Sequence, residues 1–247
     1  MADTIQIQIK RQQAPDAQPF WEHFEVAYKK NLNVISLLMD LQKNPTNKGG
    51  QGVKPVTWDQ NCLEEVCGSC TMVINGVTRQ ACTALVDTLE QPIRLEPMKK
   101  FPVVRDLQVD RARMFETLKK VKGWVEIDGT HDLGPGPRMS PKEQEWAYVL
   151  STCMSCGCCV DVCPQYGPET EFVGAFAISQ VRLFNTHPTG KMQAADRLHA
   201  LMGEGGLADC GNAQNCVKHC PKNIPLTESI AAMGRATTVQ AIKDILG

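Results

Sequence analysis

Four cysteines near the start of the chain follow the spacing Cys-x4-Cys-x2-Cys-x11-Cys, at Cys62, Cys67, Cys70 and Cys82. Three cysteines on one loop with a remote fourth is the spacing by which plant-type ferredoxins hold a 2Fe-2S cluster. Each iron takes two thiolates, so one loop can wrap the cluster while a hairpin returns the last ligand. Gly68 lies in this loop, where the absence of a Cβ lets the backbone approach the bridging sulfides. The alternative is a structural zinc site, but zinc ligands usually come in pairs from separate knuckles.

A second set of cysteines lies in the C-terminal half and matches the bacterial ferredoxin pattern Cys-x2-Cys-x2-Cys-x3-Cys-Pro. In two-cluster ferredoxins the fourth cysteine of such a run binds the other cluster, so a second run is expected. It is present with the same spacing, but alanine occupies its second position. The two runs are Cys153, Cys156, Cys159 and Cys163-Pro164, then Cys210, Ala213, Cys216 and Cys220-Pro221.

If the last cysteine of each run binds the cluster of the other run, the cysteines form two different ligand sets and predict two different clusters. A full set for a 4Fe-4S cluster consists of Cys153, Cys156, Cys159 and Cys220. The other cluster receives Cys163, Cys210 and Cys216, and because Ala213 cannot bind iron, three ligands predict a 3Fe-4S cluster. The alternative is a cubane whose fourth iron is completed by water or another side chain. Cys158 lies between two ligands of one tight loop and is expected to be a packed thiol that binds no iron.

The composition supports metal binding in a reducing compartment. A chain of 247 residues can bury a hydrophobic core in one large or two small domains, so its twelve cysteines are not needed as cross-links. Its start has no cationic segment followed by an apolar stretch, and its apolar runs are short, so neither a signal peptide nor a membrane span is expected. The 26 basic and 27 acidic residues give a net charge of -1, which argues against nucleic acid as a partner.

The elements that must position the first cysteine set are predicted to be strands. Alternating apolar residues indicate two strands, which contain Ile5, Ile7 and Ile9, and then Phe24, Val26 and Tyr28. A short helical pattern covers 33–41, and an exposed loop over 43–54 leads to the cysteines. Asn75-Gly76 predicts a hairpin with a type I′ turn, and Ile93 and Leu95 predict one more strand.

After residue 102 the pattern becomes helical. Ser140-Pro141-Lys142-Glu143 is a capping box with proline at the first helical position, so a helix is expected over 141–150, ending at the cysteines. Further helical patterns cover 111–121, 174–186, 190–203 and 225–245, and 134–137 is too rich in glycine and proline for regular structure. The change in pattern predicts a domain boundary near residue 104.

With three cysteine sets in this order, the chain resembles the iron-sulfur subunits of succinate dehydrogenase and fumarate reductase over nearly its whole length. The resemblance implies an α+β fold, with a β-grasp 2Fe-2S ferredoxin domain at 1–104 and an α-helical ferredoxin domain at 105–247 that holds the 4Fe-4S and 3Fe-4S clusters. It implies a flavoprotein partner with covalent FAD and the dicarboxylate site. It also implies a membrane-anchor cytochrome b partner with quinone near the 3Fe-4S cluster and usually haem b, and hence a peripheral position at the cytoplasmic face of the bacterial cell membrane.

Two segments, WDQNCLEEVC at 58–67 and LFNTHPTG at 183–190, resemble the menaquinone-linked bacterial branch of this family. The commoner form has arginine and glycine where this chain has Leu63 and Glu65, and an acidic residue beside the first cluster is expected to lower its reduction potential. Members that reduce ubiquinone place tryptophan and histidine where this chain has Pro168 and Gly211. The quinone site is therefore expected to differ, and only Pro164 is carried over as its neighbour.

The role that the resemblance implies is electron transfer, with no catalytic residue in this chain. Electrons from FAD would pass through the 2Fe-2S, 4Fe-4S and 3Fe-4S clusters to quinone, in a succinate dehydrogenase or in a fumarate reductase that runs from menaquinol to fumarate. A free soluble multi-cluster carrier is one rival. Another is the iron-sulfur subunit of a glycolate or glycerol-phosphate oxidising enzyme, which generally lacks the 2Fe-2S set. The third is a colourless, zinc-stapled interaction protein.

Overall fold

The computed structural model describes residues 4–126 and 138–247, so the glycine- and proline-rich segment 134–137 lies outside the described residues. The strands are β1 Thr4–Arg11, β2 Phe20–Ala27, β3 Thr71–Ile74, β4 Val77–Gln80, β5 Ile93–Glu96, β6 Val103–Arg105 and β7 Gln108–Val109. The helices are α1 Val34–Lys43, α2 Ala112–Lys120, α3 Pro141–Ser151, α4 Cys158–Asp161, α5 Gly174–Thr186, α6 Ala194–Met202, α7 Asn215–Lys218 and α8 Leu226–Leu246. Short 3-10 turns cover Val86–Thr88, Gly190–Gln193 and Leu207–Asp209.

The chain packs as two units. The first consists of Met1–Arg111 together with Met154–Asp161, and the second of Ala112–Cys153 together with Val162–Gly247. The segment that carries Cys156 and Cys159 therefore packs with the strand-rich unit, whereas sequence patterns assigned it to the helical half. The domain boundary near residue 104 stays a prediction, because packing units need not coincide with domains that fold alone.

A five-stranded mixed sheet forms the core of the first unit, in the order β2-β1-β5-β3-β4. β1 pairs antiparallel with β2 and parallel with β5, so that Ile7 lies beside Ile93 and Ile9 beside Leu95. The alternating isoleucines of β1 are buried, as predicted, and belong to the same hydrophobic cluster as the buried residues of α1. Asn33 caps α1 by accepting a hydrogen bond from the Ser36 N–H at 2.8 Å, as N-cap residues do.

The β3–β4 hairpin brings two distant cysteines to one end of the sheet. Asn75 and Gly76 both have positive φ, 48° and 83°, which confirms the predicted type I′ turn. Cys70 directly precedes β3 and Cys82 follows β4, and the Ala81 N–H donates to the Cys70 carbonyl at 3.2 Å. The hairpin thus returns the fourth cysteine to the loop that carries the other three.

A buried ion pair joins β1 to the β6–β7 turn, a two-stranded ribbon that the sequence patterns did not indicate. Arg11 is 1% exposed and Asp106 is fully buried, and the Arg11 Nε donates to Asp106 Oδ1 at 2.9 Å. Asp106 also accepts from the Gln12 and Thr57 N–H groups at 3.1 and 3.0 Å. Because Thr57 lies on the segment that leads to the first cysteine loop, this carboxylate fixes where that loop begins.

The second unit is helical. The predicted capping box of α3 is confirmed, since the Glu143 N–H donates to Ser140 Oγ at 3.2 Å and the Glu143 carboxylate accepts from the Ser140 N–H. α5 is buried along most of its length and packs against α3, α6 and α8. The helix predicted over 190–203 begins later than expected: Gly190–Gln193 is a 3-10 turn, and the Arg197 guanidinium donates to the Gly190 carbonyl at 2.7 Å.

Replacing Asp106 tests the buried ion pair. Asp106→Ala is expected to lower the free energy of unfolding by about 3 kcal/mol, because it leaves Arg11 with only part of its charge compensated, by Glu22. The measurement is urea unfolding followed by circular dichroism. The control is Lys10→Ala, which removes the Lys10–Glu96 ion pair, whose charged atoms are 3.8 Å apart. Because the lysine side chain is 38% exposed, this variant is expected to lower the free energy of unfolding by only about 0–1 kcal/mol. Equal unfolding midpoints for the two variants would contradict the expectation.

Candidate metal centres

The structure brings the four cysteines of the first set together. Cys62, Cys67 and Cys70 lie on one loop between α1 and β3, and this loop contains no helix or strand. The thiols of Cys70 and Cys82 are hydrogen-bonded to one another, and Cys62 is close enough to act electrostatically on Cys82. Cys70 and Cys82 are buried, whereas Cys62 and Cys67 are half-buried.

Backbone amides surround the thiols of this loop. Cys62 Sγ accepts from the N–H groups of Glu64, Val66 and Cys67 at 3.3–3.4 Å. Cys67 Sγ accepts from those of Cys62 and Ser69, both at 3.5 Å. Successive amides that converge on one point form a concave site for an anion, as they do around iron-sulfur clusters. The donor set therefore fits thiolate ligands.

Left-handed residues make this convergence possible. Leu63 and Glu65 have φ of 63° and 55°, and Gly68 has φ of 73°. A positive φ is strained for a residue with a Cβ, so the loop accepts strain at two positions to turn its amides inward. The Glu65 carboxylate is held by the Thr83 hydroxyl, which donates to it at 2.9 Å.

Gly68 has a role that the sequence did not indicate, and its approach to the bridging sulfides stays a prediction. A Cβ at this position would come within 2.7 Å of both Cα and Cβ of Cys156 and within 3.1 Å of the Met154 carbonyl. The missing side chain therefore makes room for the loop of Cys156, which belongs to the same packing unit. Sequence spacing could not reveal this contact, because the two residues are far apart in the chain.

The thiols of the first set differ in acidity. Burial of the Cys67 thiol opposes its ionisation, but the hydrogen bonds that it receives from Cys62 and Ser69 outweigh burial and lower its pKa to about 6. Burial and the neighbouring Cys70 thiol raise the pKa of Cys82 to about 12. Metal binding requires thiolates, so loading this site would release a proton from Cys82.

The segment Met154–Asp161, which carries Cys156 and Cys159, forms a tight and largely buried loop in the first unit. Ser155 and Gly157 have positive φ, and a Cβ at Gly157 would meet Met98 Sδ at 3.2 Å. α4 follows, and its Asp161 accepts from the Thr78 hydroxyl at 2.6 Å and from the Lys100 N–H at 2.9 Å. These bonds fix the loop to β4 and to the segment after β5.

Cys158 lies in the interior of this loop. It is fully buried, and its Sγ accepts a hydrogen bond from the Gln80 side-chain amide at 3.5 Å. A hydrogen bond from the Cys158 thiol lowers the pKa of Cys156 to about 7, and the same bond together with burial raises the pKa of Cys158. Cys156 is thus the thiol of this pair that ionises, and Cys158 is the one that stays protonated.

The predicted 4Fe-4S ligands are divided between the two units. Cys156 and Cys159 are buried in the first unit. The second unit contains Cys153, which follows α3, and Cys220, whose Sγ accepts from the Ile224 N–H at 3.4 Å. The set Cys153, Cys156, Cys159 and Cys220 therefore stays a prediction.

Three cysteines line one cavity in the second unit. They are Cys163, Cys210 and Cys216, and Ala213 and Pro164 line the same cavity. Burial raises the pKa of Cys216, and the nearby Cys163 and Cys210 thiols add to this shift. Asn212 and Gln214 have φ of 52° and 60°, so Ala213 lies in a turn between two left-handed residues. His219, beside Cys220, does not line this cavity and instead bonds the Asn215 carbonyl through Nδ1 at 3.0 Å.

Within residues 4–126 and 138–247, no three cysteine, histidine or carboxylate side chains converge closely enough to hold one ion.

Two family models match the chain. A 2Fe-2S iron-sulfur cluster binding domain matches residues 6–116, and a 4Fe-4S dicluster domain matches residues 149–224. These matches agree with a mixed-sheet 2Fe-2S ferredoxin domain followed by a helical ferredoxin-like region.

Individual proteins match over most of the chain. The succinate dehydrogenase iron-sulfur subunit of Bacillus subtilis is 62% identical over 244 residues, which cover 99% of this chain and 96% of that protein. The fumarate reductase iron-sulfur subunit of Wolinella succinogenes is 31% identical over 73% of this chain and 77% of that protein. A chain of the Mycobacterium smegmatis Sdh1 complex in the apo form has the same fold, with a TM-score of 0.74 at 22% identity over 97% of this chain and 98% of that one. The chain therefore belongs to the family of succinate dehydrogenase and fumarate reductase iron-sulfur subunits.

Proposed function

We propose that this chain is the electron-transfer subunit of a succinate dehydrogenase that uses quinone, and specifically menaquinone, as its acceptor. The observation that carries the proposal is the cavity lined by Cys163, Cys210, Cys216 and Ala213, because three thiols and a methyl group fit a 3Fe-4S cluster. When bound, the 2Fe-2S, 4Fe-4S and 3Fe-4S clusters carry electrons singly between FAD on the flavoprotein subunit and quinone.

The residues of the chain hold and tune these clusters and perform no chemistry on carbon. The thiolates of Cys62, Cys67, Cys70 and Cys82 would hold the 2Fe-2S cluster, and the amides that point at Cys62 and Cys67 would stabilise its negative charge. The 4Fe-4S cluster would be held by Cys153, Cys156, Cys159 and Cys220. Pro164 lines the cavity of the third cluster, which supports its assignment as a neighbour of the quinone.

The proposed partners are a flavoprotein with FAD and the dicarboxylate site and a membrane-anchor cytochrome b with quinone and haem b. The identity to the Bacillus subtilis subunit supports both. No helix within the described residues has the length and apolar character to cross a membrane. We place the chain at the cytoplasmic face of the bacterial cell membrane, held there by the anchor.

Fumarate reduction is the second candidate function. The identity to the Wolinella succinogenes subunit favours it, because that protein is a fumarate reductase component. The same ligands would then carry electrons from menaquinol to fumarate.

The functional test is isolation of the chain from its own membranes. We expect it to be recovered with a flavoprotein in the membrane fraction and its iron-sulfur centres to be reduced when succinate is added. A soluble, monomeric chain whose centres do not respond to succinate or to quinol would contradict the proposal and would support a free electron carrier.

Ala213→Cys tests the assignment of the third cluster. A thiol at this position is expected to convert the 3Fe-4S cluster toward 4Fe-4S, so the EPR signal of the oxidised complex should fall and iron should rise by about one per chain. The control is Ala208→Cys, which adds a thiol to an exposed alanine that does not line the cavity. An unchanged signal in protein shown by mass spectrometry to carry Cys at 213 would count against three-thiolate ligation.

Cys158→Ser tests the ligand count of the run that begins at Cys153. Serine retains an acceptor for the Gln80 amide, so iron content and all three EPR signals should stay as in the wild type. The matched control is Cys156→Ser, two residues away, which should disrupt the 4Fe-4S signal. Loss of a whole cluster from the Cys158 variant would show that this thiol binds iron.

A further inference from the structure

We propose that Arg111 is a positioning residue shared by the first two iron-sulfur centres: its guanidinium joins their ligand loops, and its positive charge raises the reduction potential of both. The inference rests on the proposed function, since it takes Cys67, Cys70 and Cys156 as cluster ligands. Arg111 directly precedes α2 and is the last residue of the first unit before the chain passes into the second.

Hydrogen bonds from Arg111 reach both loops. Nη1 donates to the Gly68 carbonyl at 2.7 Å and to the Cys156 carbonyl at 3.3 Å, and Nη2 donates to the Ser69 carbonyl at 2.8 Å. Gly68 and Ser69 are the two residues between Cys67 and Cys70. One planar guanidinium therefore holds the short link between two proposed ligands of the first centre and the backbone of a proposed ligand of the second.

The loops meet where this guanidinium binds. The backbone of Gly68 approaches Cys156 so closely that a Cβ would lie 2.7 Å from its Cα. Lysine has no planar fork with which to bind several carbonyls at once, so arginine is the side chain suited to this junction. The hydrogen bonds and the close packing together fix the separation of the two ligand segments.

The charge of Arg111 acts on the same residues. The guanidinium interacts electrostatically with the Cys70, Cys156 and Cys158 thiols and with Asp59, whose carboxylate offsets part of its charge. Reduction of a cluster adds a negative charge, and a fixed cation nearby stabilises the reduced form. A partly desolvated guanidinium acts more strongly than a surface cation because less water screens it.

One hydrogen-bond donor of the Arg111 side chain lacks an acceptor within the part of the chain that the structure describes, which supports the presence of a bound group at this junction. Its Nε is buried and has no hydrogen-bond partner among the described residues. A buried N–H without an acceptor costs free energy, so such groups normally have a partner. A bound cluster would place sulfur atoms, which can accept hydrogen bonds, beside the thiols with which this guanidinium interacts.

Redox titration of the purified membrane complex, followed by EPR, tests the proposal. Arg111→Gln removes the charge and retains an amide donor. We expect the midpoint potentials of the 2Fe-2S and 4Fe-4S centres to fall by at least the equivalent of a tenfold change in the ratio of reduced to oxidised cluster, about 59 mV for one electron. The potential of the third centre should not change.

Two further variants separate charge from structure. Arg111→Lys retains the charge, so the midpoint potentials of its 2Fe-2S and 4Fe-4S centres should shift by less than half as much as those of Arg111→Gln. Arg94→Gln removes an equal charge from an exposed residue of β5, where the guanidinium lies over the Trp21 ring, and should shift none of the three potentials.

Defined results would overturn the proposal. An Arg111→Gln complex with three intact centres and unchanged potentials would refute it, as would an equal fall in all three potentials. If Arg111→Gln loses either of the first two clusters, Arg111→Lys decides: intact clusters with nearly wild-type potentials support the proposal, and intact clusters with a full shift refute it. Loss of a cluster from both variants supports the joining role of the guanidinium, because lysine lacks the planar fork, and refutes the proposal if Arg94→Gln loses that cluster too. A wild-type complex without three centres would instead refute the proposed function, so the two failures are distinguishable.

Discussion

The need to stabilise negatively charged sulfur inside a folded protein is the constraint on which the rest of this structure depends. A thiolate that is even partly withdrawn from water must be stabilised by fixed hydrogen-bond donors, and in the first centre these donors are backbone amides of the cysteine loop. Five N–H groups point at the thiols of Cys62 and Cys67. That arrangement requires left-handed backbone at Leu63 and Glu65, so the loop accepts local strain to provide its donors.

Elements outside each ligand loop position the remaining groups of that centre. A hairpin closed by Asn75-Gly76 brings Cys82 to Cys70, and Asp106 fixes the segment that enters the loop. In the second unit, the turn around Ala213 places a methyl group in a cavity with three thiols. Neither arrangement performs catalysis. Both determine how many thiolates meet, and thereby which cluster can form.

Local patterns in the sequence predicted local structure well. The alternation of Ile5, Ile7 and Ile9, the Asn75-Gly76 turn and the Ser140 capping box each depend on neighbouring residues, and each is confirmed. Contacts between distant segments could not be predicted in this way. The approach of Gly68 to Cys156, the Arg111 bridge and the Arg11–Asp106 pair join residues separated by 42 to 95 positions, and the sequence carries no local signal for them. The ligand spacing predicted one cysteine set for each cluster, and the 4Fe-4S set stays a prediction; the spacing gave no sign that Cys156 and Cys159 pack with the strand-rich unit.

The count of iron per chain tests this account most directly. If the thiols assemble as proposed, the complex isolated without oxygen should contain about nine non-haem irons for each copy of this chain, as expected for one 2Fe-2S, one 4Fe-4S and one 3Fe-4S cluster. Mössbauer spectra should divide that iron among three cluster types. A count well below this value in fully active complex, or zinc in place of iron, would contradict the account.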